Sequence, residues 1–156
     1  MKVLFLDHDG VICLEKQWGS RKKSNQKFDK FDQKSIKVLN EIIERTKCKI
    51  VVSSDWRLYC NLDEMKKLYK DRGIIETPLD FTPVHSVQGF NFDKLRIKEI
   101  TSWIEENKPK TWCAVDDMNM KDLKFFVHTP LQKEGIKQSG IKEKIIKILG
   151  EENVEW

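Results

Sequence analysis

The chain has 156 residues, 39% hydrophobic and 35% charged, with a formal net charge of +4. That is the composition of one packed domain and excludes a fibrous or disordered chain. No apolar run approaches the ~20 residues of a membrane span, and Val3–Leu6 is too short for a secretory signal core.

Lys2–Leu6 (KVLFL) is a short apolar run that ends abruptly in Asp7, as a strand buried on both faces does. Residues 15–30 (EKQWGSRKKSNQKFDK) hold six basic and two acidic residues, which leaves 23 of each sign over the rest of the chain. The excess charge therefore sits in one stretch, whose Gly, Ser and Asn disfavour a long helix. It reads as a basic flap over about 13–32 that meets a phosphorylated substrate, or as a solvated loop. Ile36, Leu39, Ile42 and Ile43 recur at helical spacing, with Asp32 or Ser35 as the cap. Lys49–Val52 is a second buried strand, followed by polar Ser53-Ser54-Asp55. Leu62, Met65, Leu68 and Tyr69 mark a helix stopped by Gly73, and Ile74–Ile75 is a candidate third strand.

Residues 76–92, with Pro78, Pro83 and Gly89, read as an irregular insert. Leu95 to Ile104 is helical, Thr111–Val115 is a strand ending in Asp116-Asp117, and Phe125–Val127 is a last strand. Ile141, Ile145, Ile146 and Leu149 make a closing amphipathic helix before Gly150. Trp103 and Trp112 fall in apolar patterns and read as core; His85 and His128 receive no role. The four cysteines (Cys13, Cys48, Cys60, Cys113) are scattered without a CxxC pair. That suggests reduced thiols in a cytoplasmic protein rather than a zinc knuckle or disulfide framework.

Strands alternating with helices imply an α/β fold around a mostly parallel sheet, whose ligands bind beyond the carboxyl ends of the strands. Three expected strands end there in Asp7-His8-Asp9, Ser53-Ser54-Asp55 and Asp116-Asp117. On extended backbone, period two sends Asp7 and Asp9 the same way and His8 elsewhere. Four crowded carboxylates call for a hard divalent cation, and Mg²⁺ suits oxygen ligands. Ser53 and Ser54 offer donors to phosphate oxygens, and Lys94, Arg96 and Lys98 offer a cation. Together these groups fit phosphoryl transfer through an aspartyl-phosphate.

LFLDHDGV resembles the DxDG(V/T) motif of haloacid dehalogenase-like (HAD) phosphohydrolases. IVVSS and AVDD resemble that family's second and fourth motifs, in the family's order. SSDWR, GIIETP, RIKEITSWI and the late Gly135-Ile136 resemble more closely the HAD domain of Swiss Army Knife RNA repair proteins. The resemblance implies a single HAD-like domain over 1–156: a three-layer Rossmann-like fold with a five-stranded sheet and a minimal cap or flap. It implies Asp7 as nucleophile and metal ligand, and Asp9 as general acid/base with its carbonyl on the metal. Ser53 becomes the phosphate-binding hydroxyl, with Ser54 one residue away. Arg96 becomes the third-motif cation, with Lys98 as runner-up. Asp117 becomes a direct metal ligand beside Asp116, with Asp122 as a later carboxylate. Arg57 and Trp56 follow the second motif and can face substrate, Trp56 either stacking a base or packing.

The expected function is a Mg²⁺-dependent phosphatase acting on RNA or DNA ends or nucleotides, with no membrane partner. The alternatives are a phosphatase of small sugar or nucleotide phosphates, or a non-catalytic nucleic-acid-binding or regulatory domain. A two-component receiver also uses an aspartyl phosphate, but the order of the acidic motifs fits it poorly.

Overall fold

Val3, Leu4, Phe5 and Leu6 give the first strand no polar side to turn towards water, so it can only lie mid-sheet between two covered faces. The computed structural model describes residues 1–86, 89 and 91–152 and places β1 (Lys2–Leu6) there. With β2 (Lys49–Val52), β3 (Asp80–Phe81), β4 (Thr111–Asp116) and β5 (Phe126–His128) it forms one sheet in the order β3-β2-β1-β4-β5. Every neighbouring pair is parallel. The chain steps outward from β1 to β2 and β3, then crosses back to β4, so the topological switch lies between β1 and β4.

Side chains alternate between two cores. Leu4 and Leu6 join Ile50, Val52, Cys113 and Val115 under α2 (Gln33–Thr46), α3 (Leu62–Asp71) and α5 (Ile141–Leu149). Val3 and Phe5 join Val51 and Ala114 under α4 (Phe92–Asn107), through Ile100 and Trp103. Helices on both faces of a parallel sheet make a three-layer, Rossmann-like architecture. Each fully buried Leu or Ile, such as Leu39 or Ile42, contributes about 1.5–3 kcal/mol relative to exposure.

Several expectations shift. Asp32, not Ser35, caps α2: its carboxylate accepts from the Ser35 N–H at 3.0 Å and the Ser35 hydroxyl at 2.8 Å. The third strand is not Ile74–Ile75 but Asp80–Phe81, within the expected irregular insert. The reason is local. The Asn40 amide donates to the Gly73 carbonyl at 2.8 Å and accepts from the Ile75 N–H at 3.0 Å. That removes groups a strand would need, while Ile74 is buried in the core. Pro78 and Pro83 then confine pairing to two residues. The last strand starts one residue later than expected and ends at His128, whose ring Nε2 hydrogen-bonds the Asp117 carbonyl at 2.8 Å.

The basic stretch folds into a 3-10 turn (Glu15–Gln17) and a five-residue helix, α1 (Ser20–Ser24). Asp29 accepts from the Gly19 and Arg21 N–H groups at 3.1 and 3.0 Å. Arg72 donates to the Asp29 and Phe28 carbonyls, and the Trp18 indole donates to the Cys13 carbonyl at 3.1 Å. Among the described residues no helix is long and apolar enough to cross a membrane.

Candidate active site

The parallel register of β1, β2 and β4 brings their polar carboxyl ends to one edge. The Asp7 N–H donates to the Val115 carbonyl and the Ser53 N–H to the Leu6 carbonyl, at 3.3 and 3.1 Å, extending the ladders past the strands. Asp7, Asp116 and Asp117 each turn a carboxylate oxygen inward, all within 4.8 Å of one another. Asp7 and Asp116 are buried, and Asp117 is half-buried. Asp122 lies exposed, outside this group.

Arg96 reaches this cluster from α4. Its guanidinium is 3.0 Å from Asp116, 3.4 Å from Asp7 and 3.0 Å from Asp55. One cation does not balance the acids. Burial pushes the Asp7 carboxyl well above its ordinary range, and the Asp116 charge adds to this against the opposing pull of Arg96. Burial also raises Asp116. Lys98, the alternative to Arg96, is exposed two positions along the helix, over half a turn away; Lys94 is exposed too.

The turn after β1 is built around one carbonyl. His8 accepts there from the N–H groups of Val11, Ile12 and Cys13 at 2.9–3.0 Å. Its ring turns away from the carboxylates into a pocket of Phe31, Trp56 and Tyr69 and meets the Tyr69 hydroxyl at 2.5 Å. Burial, with Arg72 and Arg96 nearby, lowers its pKa to about 3, so the imidazole is neutral. Gly10 has φ +77°, and a Cβ there would stand 2.4 Å from an Asp117 carboxylate oxygen. Only glycine lets this turn pass so close to that acid. Thr129 fixes the Gly10 carbonyl at 3.0 Å, and Gln132 holds the Asp117 carboxylate at 2.9 Å. Gly135 sits under the same turn, where a Cβ would come 2.4 Å from the Val11 carbonyl oxygen.

Asp9 lies on the exposed side of the site. Its carboxylate accepts from the Trp56 indole N–H at 3.2 Å. Partial desolvation raises its pKa, against the lowering effect of the Trp56 and Cys13 hydrogen bonds. Phe28 and Phe31 stack on Trp56, at ring separations of 4.8 and 5.3 Å, and His8 packs edge-on. Trp56 is thus a packed residue that steadies Asp9 rather than a free surface for a base.

The two serines divide their work. The Ser54 hydroxyl accepts from the Trp56 N–H at 3.2 Å and caps the turn Asp55–Leu58. The Ser53 hydroxyl is buried with no hydrogen-bond partner among the described residues. A buried polar atom left open at a site edge is suited to a ligand oxygen.

Arg57 departs from the expectation that it meets substrate. Its buried guanidinium donates to the carbonyls of Ser53, Ser54, Thr82 and Pro83 at 2.9–3.3 Å and pairs with buried Glu99 at 3.0 Å. It binds the loop after β2 to the loop after β3 and to α4.

Sequence reading missed Trp56 as the partner of Asp9, Asp55 as a partner of Arg96, and the bracing by Thr129 and Gln132. The DW pair directly after the second motif is the one local signal for the first two; the bracing residues depend on tertiary contacts. The three clustered carboxylates are hard oxygen donors with uncompensated charge, and they fit a divalent cation such as Mg²⁺.

Residues 3–139 match the family described as the HAD domain in Swiss Army Knife RNA repair proteins. Neither curated proteins nor solved structures give a match. The match spans most of the chain, reaches every strand of the sheet and contains every carboxylate of the cluster, so this protein belongs to the family of HAD domains found in Swiss Army Knife RNA repair proteins.

Proposed function

We propose that the protein is a Mg²⁺-dependent phosphatase working through an aspartyl-phosphate on Asp7, with a nucleic-acid end or a nucleotide as substrate. The observation that carries this reading is the Asp7 carboxylate, held at the carboxyl end of a parallel sheet between Arg96 and two further acids. HAD domains are generally phosphohydrolases, which supports the same reaction class.

Asp7 attacks phosphorus in line and forms the acyl phosphate as the P–O bond to the leaving group breaks. Asp9 gives its proton to the departing oxygen; its raised pKa favours the protonated form that this step needs. Asp9 then takes a proton from water, which attacks phosphorus, releases phosphate and restores Asp7. Ser53 Oγ and the Arg96 guanidinium hold the non-bridging oxygens. Asp7, Asp116, Asp117 and the Asp9 carbonyl would hold the metal, which supplies positive charge against the anionic transition state.

Asp9→Asn separates the two half-reactions. With a nitrophenyl phosphate, whose leaving group needs little protonation, the variant releases about one equivalent of nitrophenol per protein and then stalls, as a rapid-quench burst shows. Acid-stable, hydroxylamine-labile phosphate then maps to Asp7. A variant that turns over at the wild-type rate moves the acid/base role elsewhere.

Gly10→Ala pushes Asp117 off its position. Metal affinity falls about 10- to 100-fold by calorimetric titration with Mg²⁺. Unchanged affinity would remove Asp117 from the ligand set.

The polynucleotide reading rests on α1. Lys22 and Lys23 are exposed there with no ion pair among the described residues. Neutralising Arg21, Lys22 and Lys23 lowers affinity for phosphorylated oligonucleotides. The salt slope of log K for a single strand becomes shallower by up to about 0.7 for each phosphate left unneutralised. An unchanged slope excludes α1 as a backbone-binding element.

A further inference from the structure

Asp9 opens onto a cavity of about 470 Å³ that neither the metal cluster nor the phosphate-binding groups use. The group protonated by Asp9 departs on that side, so this cavity receives the alcohol half of the substrate. The inference rests on the phosphatase reading above and adds to it the chemistry of the leaving group.

Its walls are aromatic and charged, with Arg21 and Lys27 among the acids Asp9, Asp29 and Asp55. Phe28 already lies flat on Trp56, 4.8 Å away and 9° from parallel. Tyr59 stands opposite solvent at 67% exposure, its hydroxyl without a hydrogen bond among the described residues. Arg21 and Lys27 border the same space. Each is paired with one acid, Arg21 with Asp29 at 3.4 Å and Lys27 with Glu64 at 3.5 Å, and both cations are about half exposed. The exposed Lys27–Glu64 pair is worth about 0–1 kcal/mol, so a phosphate can draw Lys27 away at little cost, while buried Asp29 keeps its backbone bonds and leaves the exposed side of Arg21 to the phosphate. The volume lies within the usual ~300–1,000 Å³ of a small-molecule site and far exceeds what a phosphate needs.

We propose that this cavity is a leaving-nucleoside subsite in which Tyr59 and Phe28 stack the base, while Arg21 and Lys27 hold the next phosphate where one is present. A simple sugar leaving group would leave the aromatic walls unused. A base uses both kinds of wall, and stacking accepts any base because each has a π-face. The subsite therefore selects for a base without selecting which one.

The test compares kcat/KM for adenosine 5′-monophosphate, adenosine 3′-monophosphate and ribose 5-phosphate, the last having the same phosphoester but no base. The wild type prefers at least one nucleotide over ribose 5-phosphate by roughly 10-fold or more, the scale of one base–aromatic stack. Tyr59→Ala and Tyr59→Leu lose most of that preference, and Tyr59→Phe keeps it. The 5′ and 3′ arms report which ester faces Asp7. Turnover of all three phosphates without preference overturns the subsite and leaves the phosphatase reading standing. A preference that survives Tyr59→Ala also overturns it, since the base then binds elsewhere. No turnover of any of the three by a protein that cleaves nitrophenyl phosphate overturns the subsite alone, and no turnover of nitrophenyl phosphate either overturns both readings.

Discussion

Asp7→Asn abolishes turnover and, without metal, makes the protein more stable. The kinetic loss is on the order of 10³-fold or more, because the attacking oxygen is gone and the remaining groups cannot form the acyl phosphate. The gain in stability follows from the raised pKa. Burial, with Asp116 as the main like charge, raises the folded-state pKa of Asp7 above its unfolded value, so Arg96 does not compensate fully. The unfolded chain ionises Asp7 at lower pH than the folded one. At neutral pH the ionised carboxylate therefore weakens the fold, and the penalty lifts as pH falls through the folded pKa. A neutral amide removes it at all pH values. Thermal melts in EDTA at pH 7 give a higher Tm for Asp7→Asn, by about 3 °C per kcal/mol of repulsion relieved. Adding Mg²⁺ raises the wild-type Tm and raises that of the variant less. A lower Tm for the metal-free variant would mean that the Arg96 pairing outweighs the repulsion.

Arg57→Met carries the largest stability cost. It leaves the buried Glu99 carboxylate without its cation, with only the His85 N–H at 2.9 Å, and withdraws donors from the Ser53, Ser54, Thr82 and Pro83 carbonyls. Breaking one side of a buried pair costs about 3–5 kcal/mol. Urea unfolding should show that loss, and Glu99→Gln in the same chain should recover part of it. A cost below about 1 kcal/mol would mean that Arg57 is not a clamp and is free to meet substrate. Activity should fall as well, because Ser53 enters the site from the loop that Arg57 ties down.

That arginine shows where sequence reading stops. SSDWR places a cation beside the second motif, yet its partner Glu99 lies on another element and nothing local announces the pair. The strands β1, β2 and β4 were legible because a strand buried on both faces must be a continuous apolar run, and each is followed by the polar groups of the site. β3 was not, because it is two residues long and carries Asp80, whose carboxylate is taken by the Trp103 indole at 2.8 Å. The apolar pair Ile74-Ile75 offered a better-looking strand, and only the bonding to Asn40 rules it out. The resemblance already ranked Arg96 above Lys98, but the physical difference between them is tertiary: α4 turns Arg96 inward to the acids and leaves Lys98 exposed. Ser53 and Ser54 look alike in sequence; the cap on the following turn occupies one and leaves the other open.

On this mechanism Asp7, with a divalent cation, cleaves a phosphomonoester. Phosphate release from nitrophenyl phosphate, by wild type and Asp7→Asn, each in Mg²⁺ and in EDTA, tests it most directly. Release by the wild type in Mg²⁺ alone, and none by Asp7→Asn in either buffer, is the predicted result. Equal release in EDTA, or turnover that survives Asp7→Asn, would contradict it.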